Sequence, residues 1–87
     1  MKSFEELWNE LNAKVARRDA SSSTIKILDE GVHAIGKKIV EEAAEVWMAA
    51  EYEGNDALAL EISQLIYYLQ VIAIAKGIDL SDIYKEL

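Results

Sequence analysis

Four glutamates near the middle of the 87-residue chain have the residue type and spacing of a metal-binding site. Glu41, Glu42 and Glu45 lie close together, and Glu61 follows further along the chain. Carboxylate oxygens that converge from separate segments are ligands for hard divalent cations such as Mg²⁺ or Mn²⁺, which keep some water and bind phosphate on their open side. The pattern therefore predicts a divalent metal site that handles phosphate groups.

The distribution of charge supports the need for such a cation. The chain has 16 acids, 9 bases and a net charge of −7. The segment between Lys38 and Lys76 contains seven acids and no Lys or Arg, so it carries the whole net charge. Glu45 and Glu61 have no cation within one turn, and a partly buried carboxylate without a partner is costly. The competing interpretation is a Glu-rich face that is simply solvated.

The composition excludes several classes of protein. Without cysteine there is no thiol catalysis, disulfide or cysteine-ligated zinc, and one histidine, His33, excludes a di-iron bundle with paired Glu-xx-His motifs. An acidic chain disfavours nucleic acid as a partner. The longest uncharged stretch, residues 62–75, is expected to be too short and polar to span a bilayer. Glu5 and Glu6 lie where a secretory signal would need an apolar run, so none is expected. We expect no membrane partner and a cytoplasmic location.

Helices are predicted to position the glutamates. Ser3 and Glu6 match a capping box, a bend is expected at Gly31 or Gly36, and Asn55 or Asp56 is expected to cap a helix that ends at Gly77. Helical periodicity marks residues 4–18, 25–52, 56–76 and 79–87. The expected fold is an all-α bundle of four to five helices in one domain, residues 1–87, around the long antiparallel pair 32–52 and 56–76.

The apolar faces of the long pair place glutamates near the core. One predicted stripe comprises Ile35, Ile39, Ala43, Val46 and Ala50, and the other comprises Leu58, Ile62, Leu65, Leu69 and Ile72. Glu42 lies at the edge of the first stripe and Glu61 within the second. The third helix has a second apolar side, made of Leu60, Tyr67, Val71 and Ile74. Burial of both sides needs another molecule, so a homodimer is predicted. Trp47 and Tyr52 are expected to pack.

Two runs of the chain resemble a known family. They are similar to the EExxE…ExxD pattern of the MazG-like all-α nucleoside triphosphate pyrophosphohydrolases. The runs are Lys38-Ile39-Val40-Glu41-Glu42-Ala43-Ala44-Glu45 and Glu61-Ile62-Ser63-Gln64-Leu65-Ile66-Tyr67. Within that superfamily the chain most resembles the phosphoribosyl-ATP pyrophosphohydrolases, over nearly its whole length. Their Gly-xxx-Ile-xx-Lys-xx-Glu-Glu-xx-Glu helix is matched by Gly31, Ile35, Lys38, Glu41, Glu42 and Glu45.

The resemblance implies a MazG-like bundle that hydrolyses phosphoribosyl-ATP to phosphoribosyl-AMP and pyrophosphate, the second step of histidine biosynthesis, with Mg²⁺ or Mn²⁺. The implied metal ligands are Glu42, Glu45, Glu61 and Gln64. Glu41 and Glu45 would be the catalytic acids that orient or deprotonate water. Lys38, with Lys37 beside it, would hold phosphate. Gln64 replaces the usual Asp and Tyr68 replaces a frequent His, so Gln64 offers the metal an oxygen without charge.

Two other functions remain open at this point. An enzyme of the same fold could hydrolyse an ordinary or damaged nucleoside triphosphate instead. Alternatively, the chain is a non-enzymatic helical dimerisation module whose acids are solvated. The serines of residues 21–23 and Thr24 are expected to cap a helix, and His33 is expected to be a surface residue or a neighbour of phosphate.

Overall fold

The computed structural model describes all residues from Met1 to Leu87 as helices and connecting turns. The five helices are α1 (Phe4–Ala16), α2 (Ser23–Glu30), α3 (Val32–Tyr52), α4 (Asn55–Ala75) and α5 (Leu80–Tyr84). Helices α3 and α4 contain 21 residues each, and the short turn between them makes them an antiparallel pair. The predicted all-α bundle around a long helix pair is confirmed.

Helix α1 begins as its sequence predicts. The Ser3 hydroxyl accepts a hydrogen bond from the Glu6 backbone N–H, and the Glu6 carboxylate accepts one from the Ser3 N–H. This reciprocal pair satisfies two donors that a helix start leaves free. The helix ends at Ala16, two residues before the predicted end. Arg18 adopts a left-handed backbone conformation with φ of 48°, which an α-helix cannot continue through.

The second helical region, predicted as one segment over residues 25–52, is two helices. Gly31 separates α2 from α3 with φ of 103° and ψ of 175°, a conformation that is available to glycine and strained for L-residues with a side chain. Gly36, the other predicted bend, lies inside α3. The break lets α2 turn back across the long pair instead of extending it.

The ends of α4 and α5 follow the predicted chemistry in part. Gly54 precedes α4 and no side chain caps it, so the prediction that Asn55 or Asp56 is the cap was wrong: both already belong to the helix. Gly77, with φ of 69°, ends the helix as predicted. Asp79 caps α5.

The core lies where the first four helices meet. Each contributes one side chain to a buried hydrophobic cluster, which consists of Leu11 of α1, Ile27 of α2, Ile35 of α3 and Val71 of α4. Half-buried groups surround them, including Tyr67 and Tyr68. This core fixes the relative positions of α3 and α4.

The predicted faces of α4 were partly wrong. Tyr67, Val71 and Ile74 were predicted to face a partner molecule, but they pack in the core of the chain itself. The reason is that α1 and α2 cover this side of α4. Ile62 and Leu69, predicted to be buried against α3, are exposed by 41% and 46%. On α3, Ile35 is buried as predicted, whereas Ala43 and Ala50 are exposed and Ala49 is buried.

The long helix pair has two unlike halves. We call residues 32–42 and 65–75 the covered half, because α1 and α2 lie against it. We call residues 43–64, which include the turn, the bare half. In the bare half Ala49 is the single buried residue. Several of its large apolar side chains are exposed: Trp47, Met48, Tyr52, Leu60 and Ile62. This is contrary to the packing predicted for Trp47, Tyr52 and Ile62.

Helix α4 is long and apolar enough, by length and composition, to cross a membrane. The same properties belong to the central helix of a soluble bundle. Gln70, Val71 and Ala73 of α4 are buried within the chain, and Glu61 lies in its first half. Packing within the chain therefore accounts for part of its apolar composition, and most residues in its first half are exposed.

Candidate metal centre

Three of the four predicted glutamates converge. Glu42 and Glu45 lie one turn apart on α3, and Glu61 approaches them from α4. One carboxylate oxygen from each side chain lies within 4.8 Å of the other two. The three groups are placed at the boundary between the covered half and the bare half, where the helix pair emerges from beneath α1 and α2.

One oxygen in each of two carboxylates is buried without a hydrogen-bond partner. Oε2 of Glu42 and Oε2 of Glu61 are shielded from solvent and accept no hydrogen bond. A buried acceptor without a partner destabilises a fold, and a charged one does so more. A divalent cation would satisfy both oxygens, and oxygen donors from carboxylates are the set that Mg²⁺ and Mn²⁺ prefer. The residues present therefore fit a hard divalent cation.

The crowding of negative charge is visible in the pKa values of Glu42 and Glu61. A hydrogen bond shared with Glu45, followed by burial and the charges of its neighbours, raises the pKa of Glu61 from 4.5 to about 7. Burial, followed by the hydrogen bond and charge of Glu45, raises the pKa of Glu42. Both shifts have the direction that negative charge crowded away from water produces. The cluster lacks positive charge.

Glu41 lies outside this cluster. Its side chain is exposed, and its Oε2 lies 3.4 Å from Nζ of Lys38. The charge and hydrogen bonding of Glu41, helped by Tyr68 and Glu42, raise the pKa of Lys38. The lysine thus stays positive, one turn before Glu42 on the same helix.

The two predicted phosphate-binding lysines diverge. Lys38 lines a cleft of about 350 Å³ together with Lys26 of α2 and the rings of Tyr67 and Tyr68. Lys37 instead lines a different surface cleft, with His33 and Glu41 among its neighbours. His33 is exposed there, consistent with the expected surface position. The structure brings Lys38, and not Lys37, to the side of the two tyrosines.

Gln64 lies near the cluster, but its side chain is exposed. The residue is exposed on α4, one turn after Glu61. It shares with Glu42 the lining of the largest surface cleft of the chain, of about 690 Å³. Its amide makes no hydrogen bond to another side chain or to the backbone, so its carbonyl oxygen is available to a ligand.

A connection between α2 and α4 was missed by the sequence analysis. The hydroxyl groups of Thr24 and Tyr67 are 2.6 Å apart and share a hydrogen bond. Thr24 was expected to cap a helix, but it is 2% exposed, and Ser22 is the cap. The Tyr67 ring meets the Tyr68 ring edge to face, with centroids 4.9 Å apart. No local pattern could reveal this bond, because the two residues are 43 positions apart.

The fold and the three converging carboxylates agree with the MazG-like all-α class that the sequence resembles. Comparison with known proteins identifies a family within this class. The family model described as phosphoribosyl-ATP pyrophosphohydrolase matches residues 4–87. The chain belongs to this family.

Relatives of high identity carry the same description. A phosphoribosyl-ATP pyrophosphatase of Streptomyces coelicolor is 63% identical over 99% of this chain and 97% of its own length. One of Streptomyces avermitilis is 62% identical over the same shares. One of Salinibacter ruber is 60% identical, and each chain is covered completely. The chain therefore spans the full length of proteins with this name.

Proposed function

We propose that the chain, as a single domain, hydrolyses phosphoribosyl-ATP to phosphoribosyl-AMP and pyrophosphate, the second step of histidine biosynthesis. The observation that carries this proposal is the convergence of Glu42, Glu45 and Glu61 within 4.8 Å, in a chain that matches the family over residues 4–87. Substrate and product are polyanions, and three carboxylates alone would repel them. The function thus requires a cation, for which Mg²⁺ is proposed and Mn²⁺ is an alternative.

The proposed metal ligands are Glu42, Glu45 and Glu61, with a neutral oxygen from Gln64. A bound divalent cation would neutralise charge on the triphosphate and on the pyrophosphate that leaves. The buried oxygens of Glu42 and Glu61 hold their positions because the packed helices α3 and α4 carry them. The ligand set is thus preorganised by the core rather than by a mobile loop.

The chain must also supply a base for the attacking water. Glu45 is exposed and lies in the cluster, so it is placed to accept a proton as water attacks the α-phosphorus and the bond to pyrophosphate breaks. Glu41, the other predicted catalytic acid, pairs with Lys38 and is proposed to orient water or hold that lysine in position. Lys38 is the proposed phosphate contact, and the placement of Lys37 gives it at most a contact at the outer edge of a bound substrate.

The decisive experiment is a measurement of pyrophosphate release from phosphoribosyl-ATP, with ATP and deoxynucleoside triphosphates as competing substrates. We expect release from phosphoribosyl-ATP that stops when Mg²⁺ is chelated and returns when Mg²⁺ or Mn²⁺ is added. Faster hydrolysis of an ordinary or damaged nucleotide would favour the second enzymatic function. A thermal melt that is unchanged by either metal, together with no hydrolysis, would favour the dimerisation module.

A homodimer is the second part of the proposal. The bare half exposes apolar side chains that a chain in water leaves uncovered only at a free-energy cost, and Trp47 is 67% exposed. A second copy can cover this surface with its own bare half, as symmetric dimers commonly do. Such an assembly needs no membrane, in agreement with a cytoplasmic enzyme that acts on a small nucleotide.

Sedimentation velocity at micromolar concentration tests the assembly. We expect the mass of a dimer for the native chain and of a monomer for Trp47→Glu, because a buried charge opposes association. Asn9→Glu, at an exposed position of α1, is the matched control and should remain dimeric. A native monomer that partitions onto neutral phosphatidylcholine vesicles would instead assign the apolar surface to a membrane.

A further inference from the structure

The cleft that Glu42 and Gln64 line borders the carboxylate cluster on the side of α1. It has a volume of about 690 Å³ and lies between the first turn of α1 and the middle of α4. Glu42 lines it from α3, so the cleft is continuous with the proposed metal centre. Small-molecule sites commonly have volumes of about 300–1,000 Å³. The cleft is large enough for more than a phosphate group.

Its lining differs in chemistry from the centre that it borders. Apolar walls come from α1 and α4, through Phe4, Leu7 and Ile66 together with the rings of Tyr67 and Tyr68. Lys2 and Glu42 are the charged residues of the lining. The Lys2 ammonium is already paired with Glu10, at 2.5 Å. The body of the cleft therefore suits an uncharged, largely apolar group attached to a charged one.

The smaller cleft on the other side of the two tyrosines has the opposite character. Lys26, Lys38 and Glu30 all line it. Charged phosphates suit that side and the cluster, whereas a neutral ring is better accommodated by the apolar walls. The two tyrosine rings, held at 73° to one another, are shared by both clefts and separate them.

We propose that the cleft between α1 and α4 receives the purine ring and attached ribose of the substrate, while the triphosphate lies at the carboxylate cluster. This proposal rests on the proposed function and assigns the part of the site that recognises the nucleoside. A flat heteroaromatic ring stacks favourably on tyrosine and phenylalanine. The bond between Thr24 and Tyr67 keeps one of these rings in position before the substrate arrives. Tyr67 is thus a recognition residue, and Thr24 is a positioning residue.

A substitution that fills the cleft tests this assignment. Ser63 is exposed and lines the cleft, and its hydroxyl bonds only to the Leu60 carbonyl of its own helix. We expect Ser63→Trp to raise KM for phosphoribosyl-ATP about tenfold or more with kcat within about threefold of the native value, as when uniform binding is lost. Asn9→Trp adds the same ring at an exposed position of α1 outside this cleft and should change neither constant. A lower kcat with an unchanged KM for Ser63→Trp would overturn the assignment.

A binding measurement on the native protein separates this proposal from the proposed function and needs no variant to fold. Adenosine, which has no phosphate, should shift the amide NMR signals of residues 2–7 and 63–68. Tripolyphosphate with Mg²⁺ should shift the signals around Glu42, Glu45 and Glu61. Adenosine shifts that map to another surface, or no adenosine binding at millimolar concentration, would refute the nucleoside cleft. Absence of pyrophosphate release with intact adenosine binding would refute the proposed function and leave the cleft assignment standing.

Discussion

The covered and bare halves of the long helix pair are built from similar residues but reach different degrees of burial. In the covered half, Ile35 and Val71 are completely buried beneath α1 and α2. In the bare half, apolar residues of the same size remain exposed, and Ile62 is 41% exposed. The difference does not come from local helix propensity, because both halves form continuous helices. It comes from the length of α1 and α2, which are too short to cover the whole pair.

The carboxylate cluster lies where the two halves meet. Glu42 ends the covered half and Glu61 is half-buried near the end of the bare half, while Glu45 is exposed. A site needs both conditions, since rigid positioning comes from the core and access comes from the surface. The carboxylate cluster therefore depends on its position between the two halves. Variants in the covered half should affect its rigidity, and variants in the bare half should affect its access.

The largest effect is expected at the boundary. Glu61→Gln removes a charge from the proposed ligand set but keeps the shape of the side chain, so Mg²⁺-dependent pyrophosphate release should fall by at least about 100-fold. Glu53→Gln, in the exposed turn of the bare half, is the control and should retain full turnover. Full turnover by both Glu61→Gln and Glu42→Gln would show that the cluster is not the catalytic centre.

The next effect distinguishes the two halves by stability. Ile35→Ala should lower the free energy of unfolding by about 2–5 kcal/mol, because it opens a cavity in the covered half. Ile62→Ala, of equal chemistry in the bare half, should cost less than about 0.5 kcal/mol in dilute monomer. Denaturation by urea at several protein concentrations measures both. If the bare half is a dimer interface, the cost of Ile62→Ala rises with concentration, while equal costs in dilute solution would contradict the division.

A pH titration tests the role of Glu61 in the carboxylate cluster. The raised pKa of Glu61, about 7, means that the folded chain binds this proton more tightly than the unfolded chain does. Without metal, this group therefore stabilises the fold below its usual pKa of 4.5, and that contribution is lost as the pH rises through about 7. Since Mn²⁺ must displace the proton, its affinity should weaken up to about tenfold per unit as the pH falls below 7. Calorimetry at pH 6 and pH 8 measures the change, and equal affinities would contradict it.

The smallest effect concerns the hydrogen bond that joins α2 to the covered half. Thr24→Val removes the bond to Tyr67 at nearly constant volume and should lower the free energy of unfolding by about 1–2 kcal/mol, because it leaves a hydroxyl without its partner. Thr24→Ser keeps the hydroxyl and should recover most of the loss. In a double-mutant cycle with Tyr67→Phe, the two substitutions together should cost less than the sum of each alone. Additive costs would show that the two hydroxyls do not interact.

Much of this organisation was predictable from the sequence because its signals are local. The capping box at Ser3 and Glu6, the stop at Gly77 and the long helix pair all follow from residue type and spacing. The convergence of Glu42, Glu45 and Glu61 also followed, since helical periodicity directs side chains of the long antiparallel pair toward one another. Those features need no knowledge of the rest of the fold.

The remaining features depend on contacts between distant segments. Val71 was predicted to be buried by a second copy and Leu69 by α3, whereas Val71 is buried within the chain and Leu69 is exposed. Both sides of α4 are apolar, and only the placement of α1 and α2 decides between them. The bond of Thr24 with Tyr67 and the separation of Lys37 from Lys38 have the same origin. Periodicity predicts which way a side chain points from its own helix, but not which element packs against that side.

At Gly31 the fold requires a residue that can adopt a positive φ, which L-residues with a side chain rarely do. A Cβ placed there would meet nothing within 4 Å, so the position excludes side chains by backbone stereochemistry and not by lack of space. The φ of 103° is unfavourable for an L-residue and favourable for its mirror image. A chemically synthesised chain with D-alanine at this position should therefore avoid the backbone strain of an L-residue, as urea denaturation would show. The same chain with L-alanine should be destabilised, although the two molecules differ only in chirality at one carbon atom.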